Sequence, residues 1–283
     1  MKAHAVPALS KKPASRYMKS AGYYIVVYVI LLFVIFPFLW MVLSSFKTQA
    51  QMMDTRHFFK FIPTLQNYSD VFQRYNFTEP IINSFAIALI STALALLLGL
   101  PASYAIARYR MTRLSIVLLI IRMIPAITFL VPWYIIFSQL GIIDTYASMI
   151  LAHMLVALPF IVWIMVPYFE SIPKEIEESA FVDGSGKFRT FLQIVLPLCG
   201  PGIVTAAILS FVFSWNNFMF GIILSGRKTK TLPIAIYGFL TYTDINWGGL
   251  MAGSVIITAP IILISLILQR YIIKGLTAGA VKG

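Results

Sequence analysis

Twenty-two Lys and Arg, ten Asp and Glu, three His and one Cys are the side chains through which this chain could do ionic or nucleophilic chemistry. Their spacing argues against catalysis. His4, His57 and His153 are far apart, and no HExxH or paired Cys/His spacing offers a metal cage. There is no GxxxxGK[ST] phosphate loop and no GxSxG elbow, and the lone Cys199 excludes an intrachain disulfide. The acidic residues do gather once: Glu170, Glu175, Glu177, Glu178 and Asp183, five of the ten, fall within 14 positions. The polar, acidic stretch that holds them, Glu170 to Gly202, reads as a docking element rather than as a linker.

The stretch 170–202 must position those carboxylates. Pro173 fits the first turn of a helix, where a missing N–H costs nothing, and Glu175, Glu177 and Glu178 place negative charge near the positive end of the helix dipole. Gly184, or Gly186, can take the left-handed conformation that ends a helix, which limits the first piece to about three turns. Phe188, Phe191, Leu192 and Val195 recur at i, i+3, i+4 and i+7 and predict a second helix, which Pro197 cannot continue in ordinary form. Two short helices meeting at a glycine corner suit docking into a partner's groove. Pattern alone equally allows an amphipathic loop lying on a membrane surface.

Everything around this stretch reads as bilayer. The chain is 59% hydrophobic and 11% charged, against about a quarter charged in soluble domains, and its mean hydropathy is +0.86. A crossing helix needs about 20 apolar residues, so six spans fit, at 23–46, 81–107, 114–140, 146–168, 201–224 and 250–271. The expected fold is an all-α integral membrane protein with six transmembrane helices and its polar helical loop between the fourth and fifth. The first span is too long for a signal-peptide core and is expected to remain as an anchor. Pro37, Pro101, Pro125, Pro132, Pro159, Pro167 and Pro260 lie within or beside spans, where they free carbonyls and permit bends.

Orientation follows from Lys and Arg counts: 14 on the side of both termini and of the stretch 170–202, against seven on the other. Both termini are expected in the cytoplasm, as a leader over 1–22 and a tail over 272–283 flanking a bundle over 23–271. This topology and anionic headgroups explain most of the net charge of +12, since the basic clusters are short and scattered around spans. Nucleic-acid binding is excluded on that pattern.

Four groups of residues carry a family resemblance. The order Glu178, Ala180, Asp183, Gly184, then Ile194, Leu196, Pro197 and Pro201 resembles the EAA motif of the membrane permease subunits of bacterial and archaeal ABC importers. FIPTLQNYSDVF from Phe61, FSWNNF from Phe213 and QRYIIKGLTAGAVKG from Gln269 resemble the carbohydrate-uptake branch, including maltose-type subunits that end in a short tail. The resemblance implies a permease of the inner membrane that pairs with a second, homologous permease and two ATPase subunits and receives a carbohydrate from an extracytoplasmic solute-binding protein. It implies that Glu178, Ala180, Asp183 and Gly184 form the ATPase-contacting core, with Pro197 closing the motif and the C-terminal tail as a secondary contact. ATP and Mg would sit on the ATPases and no cofactor on this chain, which is not expected to be an enzyme. The outward loops 47–79 and 225–249 are expected to meet the binding protein.

Two groups within the spans could touch substrate. Arg122 is the one ionised side chain well inside a span, where insertion costs about 2.5–3.5 kcal/mol, so it is read either as a pathway or gating group or as a cation snorkelling to the headgroups. Trp215, Asn216 and Asn217, beside Ser214, offer the indole and amides that hold sugars, or else interhelical hydrogen bonds. His153 and Asn83 belong to the same class. Secondary carriers and channels, the competing class, need ion-coupling carboxylates or a filter that the spans lack; an importer of the same build for another small solute is the nearer alternative.

Overall fold

With no water in the hydrocarbon layer, a spanning chain must satisfy its backbone within each segment, and the long apolar runs here do so as helices. The structure is a computed structural model that describes residues 14–54, 56, 58–240 and 245–277, with the side chains of 14–21 and 270–277 left aside. The leader through residue 13 and the tail from 278 lie outside the described residues.

Helix α1 (Ala14–Ser45) is followed by two short helices, α2 (Gln49–Met53) and α3 (Gln66–Gln73). Thr48 and Gln51 close a capping box at the start of α2. Then come α4 (Thr78–Arg108), α5 (Thr112–Met123), α6 (Leu130–Gln139) and α7 (Tyr146–Ser171). The polar stretch forms α8 (Lys174–Val182), α9 (Lys187–Thr190), a π turn over Phe191–Val195 and α10 (Leu196–Leu198). The chain ends with α11 (Gly200–Trp215), α12 (Met219–Leu224), α13 (Leu232–Tyr237) and α14 (Trp247–Thr277). Among the described residues the only β pairing is the isolated Leu240–Ile245 bridge.

Four helices can each cross a bilayer unaided: the Gly22–Ser45 part of α1, α4, α7 and the Trp247–Gln269 part of α14. Six crossings result if each of two bent pairs is one span. The third expected span is not the straight helix its apolar run suggested. It turns by 89° between α5 and α6, because Ile124 before Pro125 is extended (φ −69°, ψ 125°) and a 3₁₀ turn, Ala126–Phe129, follows. The fifth also differs, since α11 stops at Trp215, α12 begins only at Met219, and the chain bends by 78° at Cys199 where α10 meets α11.

Helices α4, α7 and α11 form the heart of the bundle. At the end near α8 their core joins Ile106, Ile161, Met165, Phe169, Phe191 and Val195; a second cluster around Ile87, Met149 and Phe220 fills the other end. Small residues let these helices close up. A Cβ on Gly202 of α11 would lie 2.7 Å from the Tyr168 ring of α7. Helix α1 lies outside, against α14, and most of its spanning part is exposed in the single chain, burial beginning at Ser44 and Ser45.

Candidate functional site

Helix α8 leaves the bundle through two extended residues, Ile172 and Pro173, the latter as N-cap one position ahead of the first turn. It runs nine residues and ends in a Schellman motif: the Gly184 amide donates to the Phe181 carbonyl (3.0 Å) and the Ser185 amide to the Ala180 carbonyl (2.9 Å). Gly184 is the left-handed residue, at φ +83°, whereas Gly186 has an ordinary φ of −74° and is the N-cap of α9. A Cβ on Gly184 would meet nothing within 4 Å. The corner therefore selects glycine by backbone conformation, not by want of room for a side chain.

Of the residues expected to dock, Glu178, Asp183 and Gly184 are exposed around this corner, Pro197 is exposed farther along, and Ala180 is buried against the bundle. The apolar stripe of the second helix does not share one face. Phe191 and Val195 are buried with Cys199, while Phe188 is 75% exposed and Leu192 is exposed as well, because the π turn over 191–195 shifts the helical phase. Pro197 follows that turn and does not end the helix, which runs on to Leu198.

The best-defined cluster is one the sequence did not single out. Glu177, 5% exposed, accepts from the Arg108 Nε at 2.5 Å on one carboxylate oxygen and from the Tyr104 hydroxyl at 2.5 Å on the other. The Arg108 guanidinium also donates to the Ile172 carbonyl at 3.2 Å. Tyr104 packs in turn on Phe191 and Phe169, with ring centroids 4.9 and 5.7 Å away. Glu177 and Ala180 face inward from α8 while Glu178, next along the helix, faces out. Spacing at i and i+3 put Glu177 on the Ala180 face; its partners are 69 and 73 residues away, beyond any local pattern.

The span residues separate by environment. Arg122 lies in the last turn of α5 just before the 89° bend and is exposed on the single chain, its guanidinium 3.9 Å from the Trp163 ring centroid and 5.0 Å from that of Phe160. Trp215 is buried, stacks on Phe211 and donates its indole N–H to the Ile257 carbonyl of α14 at 3.0 Å. Asn216 is exposed but bonds back to the Val212 carbonyl, and Asn217 accepts from the Phe220 amide, capping α12. His153 is buried with its Nδ1 2.5 Å from the Ser214 hydroxyl, which reaches Ser91 of α4. Asn83 donates to the Lys228 and Lys230 carbonyls and accepts from the Tyr146 hydroxyl. Trp215, Asn217 and Asn83 thus spend their polar atoms on joining and capping elements.

At the same end of the bundle as Asn83, Asp144 ties down the α12–α13 loop. Its carboxylate accepts from the amides of Gly226, Lys228 and Thr229 and from the Thr229 hydroxyl. Burial pushes the Asp144 carboxyl up, but these donors together outweigh it and hold its pKa below the ordinary 3.8.

Among the described residues the chain is thus a bundle of long apolar helices with a short polar helix, α8, packed at one end. The chain belongs to the family of binding-protein-dependent transport system inner membrane components, which matches residues 95–278. It is 36% identical over 260 residues to the trehalose transport system permease protein SugB of Mycobacterium tuberculosis, covering 89% of this chain and 93% of that one. It is 32% identical over 256 residues to the trehalose/maltose transport system permease protein MalG of Thermococcus litoralis, covering 88% and 92%. Among solved structures, a bacterial ABC transporter that imports the acidic polysaccharide alginate contains a chain of the same fold, with TM-score 0.77 and 18% identity over 94% of this chain and 99% of that chain.

Proposed function

We propose that this permease forms, with a second homologous permease, the pathway by which a carbohydrate enters the cell, and that two separate ATPase subunits drive it by gripping α8. The observation that carries this reading is α8 itself: a short helix fixed to the bundle by one face and presenting Glu178, Asp183 and the Gly184 corner on the other. An exposed acidic rim beside a tight corner is what a basic groove can hold. ATP and Mg belong to the ATPases. The trehalose and maltose permeases among the relatives support a sugar or sugar derivative, delivered by a solute-binding protein at the outer loops. The stretch 170–202 and both termini face the cytoplasm of a bacterial or archaeal cell. Residues 23–271 form the bundle and 272–283 a tail that reaches the ATPases. Arg122 and Asn216, both exposed on the single chain, are the pathway candidates that stay reachable.

The test is assembly. Glu178→Lys, a reversal on an exposed position that leaves the bundle core untouched, is expected to abolish co-purification of the ATPases and ATP-driven uptake while membrane insertion stays normal. Retained ATPase attachment would count against docking at α8.

A further inference from the structure

Helix α8 is joined to the bundle by weak backbone links on both sides. Ile172 and Pro173 are extended before it (ψ 123° and 136°), and after it come the Gly184 corner, the π turn and the 78° bend at Cys199. A nine-residue helix between such links would swivel when pushed, and the push would be lost in backbone torsions. We infer that the Glu177–Arg108–Tyr104 cluster is a latch that makes α8 and the end of α4 one rigid lever, so that force applied at the docking face enters the bundle through α4.

Three observations carry this. Both Glu177 carboxylate oxygens are engaged by different donors from α4, one turn apart, which fixes the side chain in rotation as well as distance. Arg108 also holds the Ile172 carbonyl, so one guanidinium spans the hinge that precedes α8. Replacing a buried ion pair by apolar groups of similar volume is often neutral or stabilising, so this pair is explained better by the directional link it supplies than by net stability. Through Tyr104 the latch reaches Phe169 of α7 and Phe191 of the π turn, so all three routes out of α8 converge on one aromatic cluster. Helix α4 then packs along α7 and α11, which spreads the motion into the bundle.

The inference rests on ATPase docking at α8, and the experiment separates the two. In the complete transporter, in proteoliposomes, Cys199→Ala and Leu98→Cys place one environment-sensitive fluorophore on the exposed side of α4, and the probe is ATP with Mg, which requires no knowledge of the sugar. ATP should shift the fluorescence of the otherwise unaltered complex. Glu177→Gln and Tyr104→Phe, near-isosteric changes chosen because Arg108→Ala would leave the buried Glu177 carboxylate without its cation, should keep the ATPases attached and hydrolysing while the shift falls on the order of tenfold, within the usual range for coupling between sites. The reversal pair Glu177→Arg with Arg108→Glu should recover part of it. An unchanged shift in both single variants overturns the latch, as does loss of ATPase attachment in the Glu177 variant, which would make Glu177 a docking residue. Glu178→Lys with ATPases still bound would instead sink the docking reading itself.

Discussion

Gly184 shows how a backbone angle rather than a contact can constrain a residue. Its φ of +83° costs an ordinary L-residue about 1–2 kcal/mol, while the space around it is open. Gly184→Asn should therefore keep most ATPase attachment, because asparagine tolerates the left-handed region, whereas Gly184→Val should lose most of it; quantitative co-purification of the ATPases ranks the two. Equal losses would mean that the corner is selected by bulk against a partner. Asp144 offers a second test on the opposite side. Its pKa is held below 3.8 by loop donors, so the sign is that of a depressed carboxylate: the anchoring is fully present above about pH 4 and is lost as pH falls through the folded value. Hydrogen exchange at the Gly226, Lys228 and Thr229 amides should be slow and flat in protection from pH 7 to pH 5. Asp144→Ala, which removes both acceptor oxygens, should remove that protection at every pH.

Among the elements, the close approach of α7 and α11 is the contact most sensitive to a single atom. A Cβ at Gly202 would meet Cγ, Cδ1 and Cδ2 of Tyr168 at 2.7–2.8 Å, the root of the ring and not a flexible end. Gly202→Ala should cost about 1–3 kcal/mol as overpacking, read as a lowered Tm in detergent, and Tyr168→Ala in the same chain should return part of it; a Tm unaffected by Gly202→Ala would mean that the helices separate freely here. Helix existence and most helix limits were legible, because apolar runs of bilayer length admit few other structures. The breaks were less so. Pro125 was visible but sits in a run whose hydropathy is the same whether straight or bent by 89°. The Phe188–Val195 stripe was counted at 3.6 residues per turn, and the π turn at 191–195 invalidates that count locally, which leaves Phe188 and Leu192 outside. The glycine corner was legible because its signal is local. Glu177 was not, because what distinguishes it from Glu178 is a pair of donors on another helix.

For the molecule as a whole, the sidedness of the bundle decides whether its parts can work together. The proposed orientation, drawn from Lys and Arg counts, has α8 in the cytoplasm and the Asp144-anchored loop outside, and the two lie at opposite ends of the bundle core: α8 packs by the Ile106–Phe169–Phe191 cluster, the loop follows Leu224 of the Ile87–Met149–Phe220 cluster. Nucleotide-driven subunits can grip only a cytoplasmic lever, and a binding protein can meet only the outer loop, so a reversed chain could not serve as an importer subunit. Val182 on α8 is 87% exposed and Arg227 is exposed on the loop, which makes both positions suitable reporters once the buried Cys199 is replaced by Ala. Val182→Cys should react with a membrane-impermeant maleimide only in inside-out vesicles and Arg227→Cys only in right-side-out vesicles. Labelling of both from one side would contradict a bundle crossed between them. Exchange of the two patterns would invert the orientation and remove the ATPases from reach of α8.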